Sequence, residues 1–472
     1  MKNILTNSYL DLPSRFYSKI SPSNSFEPQL IHYNKELGQQ LGLDLDNSTS
    51  TELAQIFSGQ KLFSGSDPIA LVYAGHQFGH FVPQLGDGRA LLLGEVKTSR
   101  GTFDLQLKGS GVTPFSRGGD GLSPLGPVIR EFIVSEAMAH LGVPTTRTLA
   151  AVLTGATVYR EQPLPGAVST RVASSHLRIG TFEYFSNRKD VEGLRILADY
   201  AIQRHDPDLI SKKEKYLQFF RRVCLRQMDL VSKWMGLGFI HGVMNTDNMT
   251  ISGESIDFGP CAFMDNFEFL KVFSSIDRHG RYAYDRQPEV ALWNFTCLAN
   301  ALIPLVHDDK KVAIAMLEEI LKPMPQYFEQ ENLKTMAFKM GIFNPINSDR
   351  KIIADFLKYL QDEKLDFTNS FRQLSQKLES HEPHLQSWQN RVKLQSQSIK
   401  AVKTFMNQNN PAMIPRNHQV EKAISMAYQG DFSHFLKLLE ITKKPFDDNE
   451  EFAVFTEPPR ACEVVNKTFC GT

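Results

Sequence analysis

FIHGVMNTDNMTISGESID, residues 239–257, is the stretch that decides the fold predicted for this chain. Residues 249–251 have the short apolar pattern of a strand, and the turn residues 252–254 after them predict a hairpin. That hairpin would bring Asn248 and Asp257 to the same end. Amide and carboxylate oxygens are good ligands for Mg²⁺, which completes its coordination shell with water and phosphate oxygens. The stretch therefore predicts a divalent-metal site for a phosphate-bearing ligand.

The next two residues complete the sequence DFG at 257–259, which is the metal-binding tripeptide of protein kinases. The loop before it begins with His241 and ends with Asn248, as the kinase catalytic loop does. In kinases the Asp that accepts the substrate proton lies two residues after the His. That position is Val243 here, so the usual base is missing. Asp247 is the only carboxylate in the loop that could replace it; a second metal ligand and a loop-capping residue are the alternatives.

A lysine and a glutamate upstream fit the same pattern. Residues 103–107, FDLQL, alternate apolar and polar side chains and predict a strand that ends at Lys108. An apolar stripe between Pro127 and Gly142 predicts a helix that carries Glu131. A charge on a core-facing helix is costly unless it is paired, and Lys108 is the natural partner. In the alternative interpretation Glu131 is an unpaired surface residue.

Glycine-rich segments flank the predicted lysine strand. Residues 75–94, GHQFGHFVPQLGDGRALLLG, are predicted to form one hairpin. Within it, residues 86–89, GDGR, suggest a loop that covers a nucleotide, because glycine lets a phosphate or sugar approach main-chain N–H groups. A hairpin that only turns is the alternative. Residues 114–126 contain Arg117 and Asp120 among several glycines and predict an ordered loop.

Two arginines follow in STRVASSHLRIGTFEYF. Arg171 and Arg178 are seven residues apart, which places them on one face if the segment is helical. Adjacent guanidinium groups repel each other unless an anion lies between them, and their forks match phosphate oxygens. With Lys108 they would give a triphosphate three cationic contacts. The alternative is two solvated arginines on an ordinary helix.

Long motifs identify a family that the whole chain resembles. They are YAGHQFGHFVPQLGDGRALLLGE (73–95), QLKGSGVTPFSRGGDG (106–121), IREFIVSEAMAHLGVPTTR (129–147), HGVMNTDNMTISGESIDFGP (241–260), GRYAYDRQPEVALWN (280–294) and NPAMIPRNHQVEKAI (410–424). The chain resembles the selenoprotein O family of protein adenylyltransferases, which have a protein-kinase-like fold and were long regarded as pseudokinases. The ending FCGT, residues 469–472, looks like the redox-active tail of that family.

The resemblance implies an α+β, two-lobed, protein-kinase-like fold with a β-rich N-lobe that contains one key helix, and a large helical C-lobe. It also implies that ATP is held in reverse relative to kinases, so that AMP passes to protein hydroxyls of Ser, Thr or Tyr and pyrophosphate leaves, with Mg²⁺ or Mn²⁺. Transferred onto this sequence, the nucleotide site consists of Gly86, Gly88, Arg89, Lys108, Asp120, Gly121, Glu131, Arg171, Arg178 and Asp257. Asn248 and Asp257 match the metal ligands, and Asp247 matches the proton acceptor.

Other functions stay open at this point. An ordinary kinase would transfer the γ-phosphate, which Val243 at the position of the base argues against. A broken metal pair would favour a non-catalytic ATP-binding regulator, whereas Asn248 and Asp257 are both present. UTP with Mn²⁺ could replace ATP, because no base-reading residue is identifiable.

Composition fits this prediction. The 472-residue chain has 52 Lys plus Arg and 52 Asp plus Glu, so no overall field attracts it to nucleic acid or to a membrane. Five cysteines without a CxxC pair argue against a disulfide scaffold and a zinc site. No run reaches the roughly 18 apolar residues that span a bilayer, and no targeting segment is evident. The expected location is the cytoplasm.

The chain is predicted to divide into an N-terminal extension (1–65), an N-lobe (66–165), a helical C-lobe (166–440) and a C-terminal tail (441–472). A helix is expected around residues 32–41, and apolar spacing predicts helices at AIAMLEEIL, RKIIADFLKYL and HFLKLLEI. In the tail, Cys470 is a candidate redox-sensitive thiol with Cys462 as a conceivable partner. The other cysteines, Cys224, Cys261 and Cys297, are expected to be inert buried thiols.

Overall fold

A computed structural model describes residues 5–23 and 27–469 of the chain. Cys470, for which a redox role was predicted, lies outside the described residues. Strands and helices are both abundant: a β-sheet lobe comes first in the chain, and a longer helical region follows. The molecule therefore has the mixed α and β composition that was predicted.

The strands are β1 (Tyr17–Lys19), β2 (Gln29–Tyr33), β3 (Ile69–Leu71), β4 (Gly75–Gln77), β5 (His80–Val82), β6 (Ala90–Thr98), β7 (Gly101–Lys108), β8 (Ser123–Pro124), β9 (Arg147–Tyr159), β10 (Pro163–Ala173), β11 (Phe239–Ile240) and β12 (Ala262–Phe263). Within the described residues, an eight-stranded sheet has the order β1-β3-β6-β7-β10-β9-β2, and β8 pairs with β10. The predicted lysine strand, β7, is therefore an interior strand. Two strands from the predicted N-terminal extension, β1 and β2, join the same sheet.

The helices are α1 (Lys35–Gln40), α2 (Ser50–Ser58), α3 (Leu125–His140), α4 (Ile179–Asn187), α5 (Val191–His205), α6 (Lys215–Leu237), α7 (Gln287–Val306), α8 (Lys310–Leu321), α9 (Met324–Lys339), α10 (Asp349–Asp362), α11 (Phe367–Leu374), α12 (Gln386–Lys393), α13 (Ile399–Asn409), α14 (Asn417–Tyr428), α15 (Ser433–Ile441) and α16 (Ala453–Thr456). The three helices predicted from apolar spacing are confirmed as α8, α10 and α15.

The two faces of the sheet are covered by different helices. Leu105 and Leu107 of β7 belong to an apolar cluster with Leu53 and Phe57 of α2. Because successive side chains of a strand point to opposite faces, Lys108 at the end of β7 points to the other face. That second face packs against α3, as the contacts of α3 with β9 and β10 indicate. The alternation in FDLQL thus directs the lysine to the side where α3 lies.

The helical region has one large core. The long helix α6 lies centrally and packs against α7 and α9. By composition α7, with the turn before it, is long and apolar enough to cross a membrane over Tyr284–Val306. Here it packs against α4, α6 and α8, and its buried face, which includes Phe295 and Leu302, is part of this core.

The helix expected around residues 32–41 is α1, which starts only at Lys35, after Asn34 caps it through its side chain, whereas His32 lies on strand β2. Two other local predictions are wrong. Residues 75–94 do not form one hairpin: β4 pairs with β5, whereas β6 pairs with β7. Residues 249–256 form a turn in which Thr250 Oγ1 binds the backbone carbonyl of Glu254, without a strand ladder between its two sides.

The chain returns to the sheet lobe near its end. Helices α14 and α15 pack against α3, and Phe435 of α15 lies fully buried with its ring 5.5 Å from that of Phe132. On α14, Glu421 forms an ion pair with Arg130 of α3. Helix α3 is thus held between the sheet on one side and the C-terminal helices on the other.

The end of the described chain lies beside the segment that follows DFG. Thr468 exchanges backbone hydrogen bonds with Phe273 and Ser275, and its hydroxyl binds the carbonyl of Pro260 at 2.5 Å. Cys462 is exposed, whereas burial raises the pKa of Cys297 to about 12. The thiol of Cys297 is therefore protonated near neutral pH.

We predict that Phe435→Ala lowers the free energy of unfolding by about 3–5 kcal/mol, because it leaves a cavity where α15 meets α3. The measurement is equilibrium unfolding in urea. The neighbouring Leu436 is 41% exposed, so Leu436→Ala is the matched control and should change stability by only about 0.5 kcal/mol or less. Equal effects of the two substitutions would contradict the packing described for α15.

Candidate active site

A cavity of about 680 Å³ opens between the sheet lobe and the helical region. Residues from the glycine-rich loops, the sheet, α3 and the loop before DFG line it. Every site residue predicted from the sequence lies on its wall: Gly86, Gly88, Arg89, Lys108, Asp120, Gly121, Glu131, Arg171, Arg178, Asp247, Asn248 and Asp257. Residues up to 171 positions apart in the chain are therefore brought to one cavity.

Lys108 and Arg171 reach the cavity from neighbouring strands. In the antiparallel pair of β7 and β10, Arg171 is the direct partner of Gln106. Gln106 and Lys108 are two residues apart and share a face of the sheet, and the cross-strand partner of Gln106 lies on that face as well. Strand register thus places the two cations side by side.

Glu131 of α3 compensates these cations. Its Oε2 lies 2.7 Å from Lys108 Nζ, and its Oε1 lies 2.5 Å from Arg171 Nη2. Although burial disfavours the charged form, Arg171 and Lys108 keep the pKa of Glu131 below its usual value. The ion pair predicted between Lys108 and Glu131 is confirmed, and the interpretation of Glu131 as an unpaired surface residue is wrong.

Arg178 reaches the site by another route. The prediction that Arg171 and Arg178 share one helix face is wrong: Arg171 lies on β10, whereas Arg178 is the residue before the first turn of α4. Arg178 Nη1 donates to the backbone carbonyl of Asp247 at 3.0 Å. Its guanidinium also lies 4.6 Å from the ring centroid of Tyr73. The two arginines converge although they belong to different elements.

Three cations form ion pairs with the carboxylate of Asp257. Its Oδ1 lies 2.7 Å from Lys108 Nζ and 2.5 Å from Arg171 Nη2, and its Oδ2 lies 3.3 Å from Arg178 Nη1. Burial opposes ionisation of Asp257, but Arg171, Lys108 and Arg178 together hold its pKa well below the usual value. Its backbone has φ of 63°, an uncommon conformation for a residue other than glycine. The carboxylate is therefore ionised near neutral pH and held by three cations.

Asn248 and Asp257 suit a divalent cation. The side-chain amide of Asn248 donates from Nδ2 to the carbonyl of Val243 at 3.0 Å, which leaves its oxygen for the cavity. An amide oxygen and an ionised carboxylate are the ligand types that Mg²⁺ takes from proteins, with water and phosphate oxygens as the rest. The residues present thus fit the predicted metal.

Asp247 has a different environment from Asp257. Burial raises its pKa to about 6, although Arg178 and a hydrogen bond from Gln77 act in the opposite direction. Its Oδ1 has no hydrogen-bond partner within the described part of the chain. Val243, at the usual position of a kinase base, is a buried apolar residue. A carboxylate with a pKa close to neutral is suited to accept a proton.

The loop around Gly86 and Gly88 packs under the neighbouring glycine-rich segment. A Cβ atom on Gly86 would lie 2.5 Å from the ring of Phe115, and one on Gly88 would lie 2.9 Å from the carbonyl oxygen of Phe115. The glycines are thus required by contact between two loops of the protein. Arg89 lines the cavity, and no ion pair involves it among the described residues.

Asp120 is engaged in a salt bridge that the sequence did not indicate. Arg160, the residue after β9, donates to both oxygens of Asp120, at 2.8 and 3.1 Å, and to the carbonyl of Leu122. Gly121 lies in the same loop, where φ is positive at 66°. Arg160 thereby fixes the loop that carries two predicted nucleotide contacts.

Sequence reasoning did not select several further residues on the cavity wall, among them Tyr73, Gln77, Asp87 and Arg160. Asp87 accepts hydrogen bonds from Leu71 N and Gln106 Nε2, both at 3.1 Å, and so joins the glycine loop to the sheet. Asp87 stands within the quoted GDGR motif, which was the available signal; nothing in the sequence singled out Arg160.

Comparison with known proteins agrees with the geometry. The family described as "Protein adenylyltransferase SelO" matches residues 1–443. A "Protein nucleotidyltransferase YdiU" of Maridesulfovibrio salexigens is 51% identical over 483 aligned positions, which cover 99% of this chain and 98% of the relative. Proteins of the same description from Rhodopseudomonas palustris and Nitrosococcus oceani are 47% identical, with 99% of this chain covered in each case. The chain therefore belongs to the SelO protein adenylyltransferase family and is a nucleotidyltransferase.

Proposed function

We propose that the protein transfers AMP from ATP to Ser, Thr or Tyr hydroxyls of protein substrates and releases pyrophosphate, with Mg²⁺ or Mn²⁺ bound by Asn248 and Asp257. The observation that carries this proposal is that the residues for phosphate and metal are all present, while the loop carboxylate lies at position 247 and not at the kinase position, 243. Val243, where a kinase has its base, is apolar. The chemistry proposed is therefore nucleotidyl transfer rather than phosphorylation.

The charges of the site support binding of a triphosphate. Lys108, Arg171 and Arg178 line the cavity and surround the carboxylates of Glu131 and Asp257, and Arg89 is a further cation on the same wall. A divalent cation at Asn248 and Asp257 would add further positive charge next to the phosphates. Lys108 and Arg178 would then contact phosphate oxygens, while Arg171 stays with Glu131. Such charge neutralisation and positioning account for most of the catalysis in phosphoryl-type transfers.

Asp247 is proposed to accept the proton of the acceptor hydroxyl. In the proposed orientation the α-phosphate of ATP faces the acceptor hydroxyl. The hydroxyl oxygen forms a bond to the α-phosphorus, the bond from that phosphorus to the leaving oxygen breaks, and pyrophosphate departs. The hydroxyl proton passes to the carboxylate of Asp247, whose pKa of about 6 allows it to be largely ionised near neutral pH before the step.

The arrangement of elements supports a protein-kinase-like, two-lobed fold. A lysine strand, a helix with its glutamate partner, a loop that ends in Asn248 and a DFG tripeptide follow one another as in kinases. In this proposal residues 66–165 are the N-lobe and residues 166–440 the C-lobe, with residues 1–65 as an extension and 441–472 as a tail. The two edge strands from residues 1–65 extend the sheet of the N-lobe.

Two alternatives to AMP transfer are the use of another nucleotide and the binding of ATP without any transfer. UMP transfer from UTP with Mn²⁺ uses the same phosphate contacts, so the base-binding end of the cavity decides between them. A non-catalytic ATP-binding regulator would need the same cations but no proton acceptor. The buried Asp247 beside the metal pair favours turnover. We place the enzyme in the cytoplasm in this proposal.

The transfer reaction can be tested with labelled nucleotide. We expect purified protein mixed with a cell lysate and Mg²⁺ or Mn²⁺ to retain label on protein from α-labelled ATP and not from γ-labelled ATP. Label from the γ-position alone would identify a kinase, and label from neither would support the regulator. Parallel reactions with α-labelled UTP distinguish AMP transfer from UMP transfer.

Asp247→Asn should lower kcat for transfer about 10² to 10⁴-fold, because the amide cannot accept the hydroxyl proton. The Kd for ATP with Mg²⁺, measured by calorimetry, should stay near that of the wild type. The exposed Asp308 offers a matched control, since Asp308→Asn makes the same chemical change at a residue that does not line the cavity. Full activity of the Asp247 variant would remove this residue from the mechanism.

Lys108→Ala should weaken ATP binding about 10- to 100-fold, because a charge-assisted contact to phosphate is lost. Titration of the nucleotide into protein at fixed Mg²⁺ measures the effect. Lys97→Ala, on the exposed part of β6, is the control and should bind ATP normally. Normal ATP binding by the Lys108 variant would contradict the role proposed for this residue.

A further inference from the structure

The β4–β5 hairpin lies against the loop that carries Asp247, and the function proposed above assigns it no role. Its backbone contacts the loop twice. His76 N donates to Thr246 Oγ1 at 2.7 Å, and Phe78 N donates to Asn245 Oδ1 at 3.1 Å. The first part of the glycine-rich stretch, which precedes the GDGR residues interpreted as covering a nucleotide, thus contacts the loop that carries Asp247.

Between these two contacts the hairpin reaches the carboxylate itself. Gln77 Nε2 donates to Asp247 Oδ2 at 3.3 Å. The other oxygen, Oδ1, lies against the backbone of Gly75, where an added Cβ atom would come within 2.6 Å of it. A side chain at position 75 would therefore displace the carboxylate. One oxygen of Asp247 is held by a hydrogen bond, and the other fits a space that only glycine leaves.

The hairpin is fixed from its far side as well. His76 Nδ1 lies 2.5 Å from Glu183 Oε1 on α4. The hydroxyl of Tyr282 donates to Asn245 Oδ1 at 2.7 Å and lies 3.2 Å from Phe78 N, and the rings of Phe78 and Tyr282 are 5.0 Å apart. Contacts with α4 and with the segment after DFG therefore prevent the hairpin from moving independently of the loop.

Free rotation of the Asp247 side chain would separate the carboxylate from the acceptor hydroxyl. Asp247 lies in a three-residue helical turn, Thr246–Asn248, which by itself fixes the backbone but not the side chain. Within the described chain, the side-chain hydrogen bond made to its carboxylate comes from Gln77. An amide donor can hold one oxygen and leave the group its remaining lone pairs, so the proton-accepting capacity is kept.

We propose that Gln77 is a positioning residue for Asp247, and that Gly75 supplies the space this position requires. The inference rests on the proposed role of Asp247 in AMP transfer. Gln77 acts through the carboxylate, so it should affect the transfer step and not the binding of ATP. The β4–β5 hairpin is then a support for the acceptor side of the active site.

The test measures steady-state transfer and nucleotide binding in two variants of the full chain. Gln77→Met keeps the length of the side chain and removes its donor, and we expect kcat to fall about 10- to 100-fold, since a misplaced catalytic group loses rate of this order. KM and Kd for ATP should stay unchanged. Gly75→Ala should give the same pattern. His80→Ala is the matched control, because His80 lies on the same hairpin and is exposed.

Each outcome decides between the alternatives. Wild-type kcat in Gln77→Met would overturn the inference while the proposed function stands, provided that Asp247→Asn is inactive. Loss of ATP binding in parallel with kcat, or a similar loss in His80→Ala, would mean that the hairpin has only a structural role. Absence of AMP transfer by the wild-type protein would overturn the proposed function first, and the role of Gln77 with it.

Discussion

The ionised carboxylate of Asp257 is the group on which the rest of the site depends. It is held between Lys108, Arg171 and Arg178, which come from two strands and the start of a helix. Arg171 is almost completely buried, and a buried charge is tolerated only when its partners have good geometry. The register of β7 against β10 and the path of the loop that carries DFG are therefore constrained by the same set of ion pairs.

Glu131 links the position of helix α3 to these ion pairs. Because it pairs with both Lys108 and Arg171, α3 has to lie at a fixed height over the sheet. The sheet alone does not fix α3; α14 and α15 pack on its other side, with Phe435 against Phe132 and Glu421 paired with Arg130. Helices α14 and α15 thus hold α3, and with it the carboxylate of Glu131, in place. A substitution that weakens their packing on α3 is expected to shift Glu131 in the cavity.

The two carboxylates of the site differ for a physical reason. Asp257 is surrounded by cations, which keep it ionised, whereas Asp247 is buried with few donors, which raises its pKa to about 6. The first environment suits metal and phosphate binding, and the second suits transfer of a proton. Different burial and different partners are sufficient to give two neighbouring acids different chemistry.

The sequence by itself determined the types of residue and much of the local structure. The alternation of FDLQL predicted the lysine strand, apolar spacing predicted helices such as α10, and the long motifs identified the family, because these signals depend on neighbours in the chain. The sequence did not determine which side chains meet. It could bring Arg171 and Arg178 together only through a helix, whereas strand pairing and the start of α4 do so, and it missed the salt bridge of Arg160 with Asp120. It also predicted one hairpin over residues 75–94, whereas Gly75 lies in a separate hairpin whose contact partner is Asp247, 172 positions further along the chain. Only the tertiary structure decides such contacts, because they join segments whose separation in the chain carries no information about their distance in space.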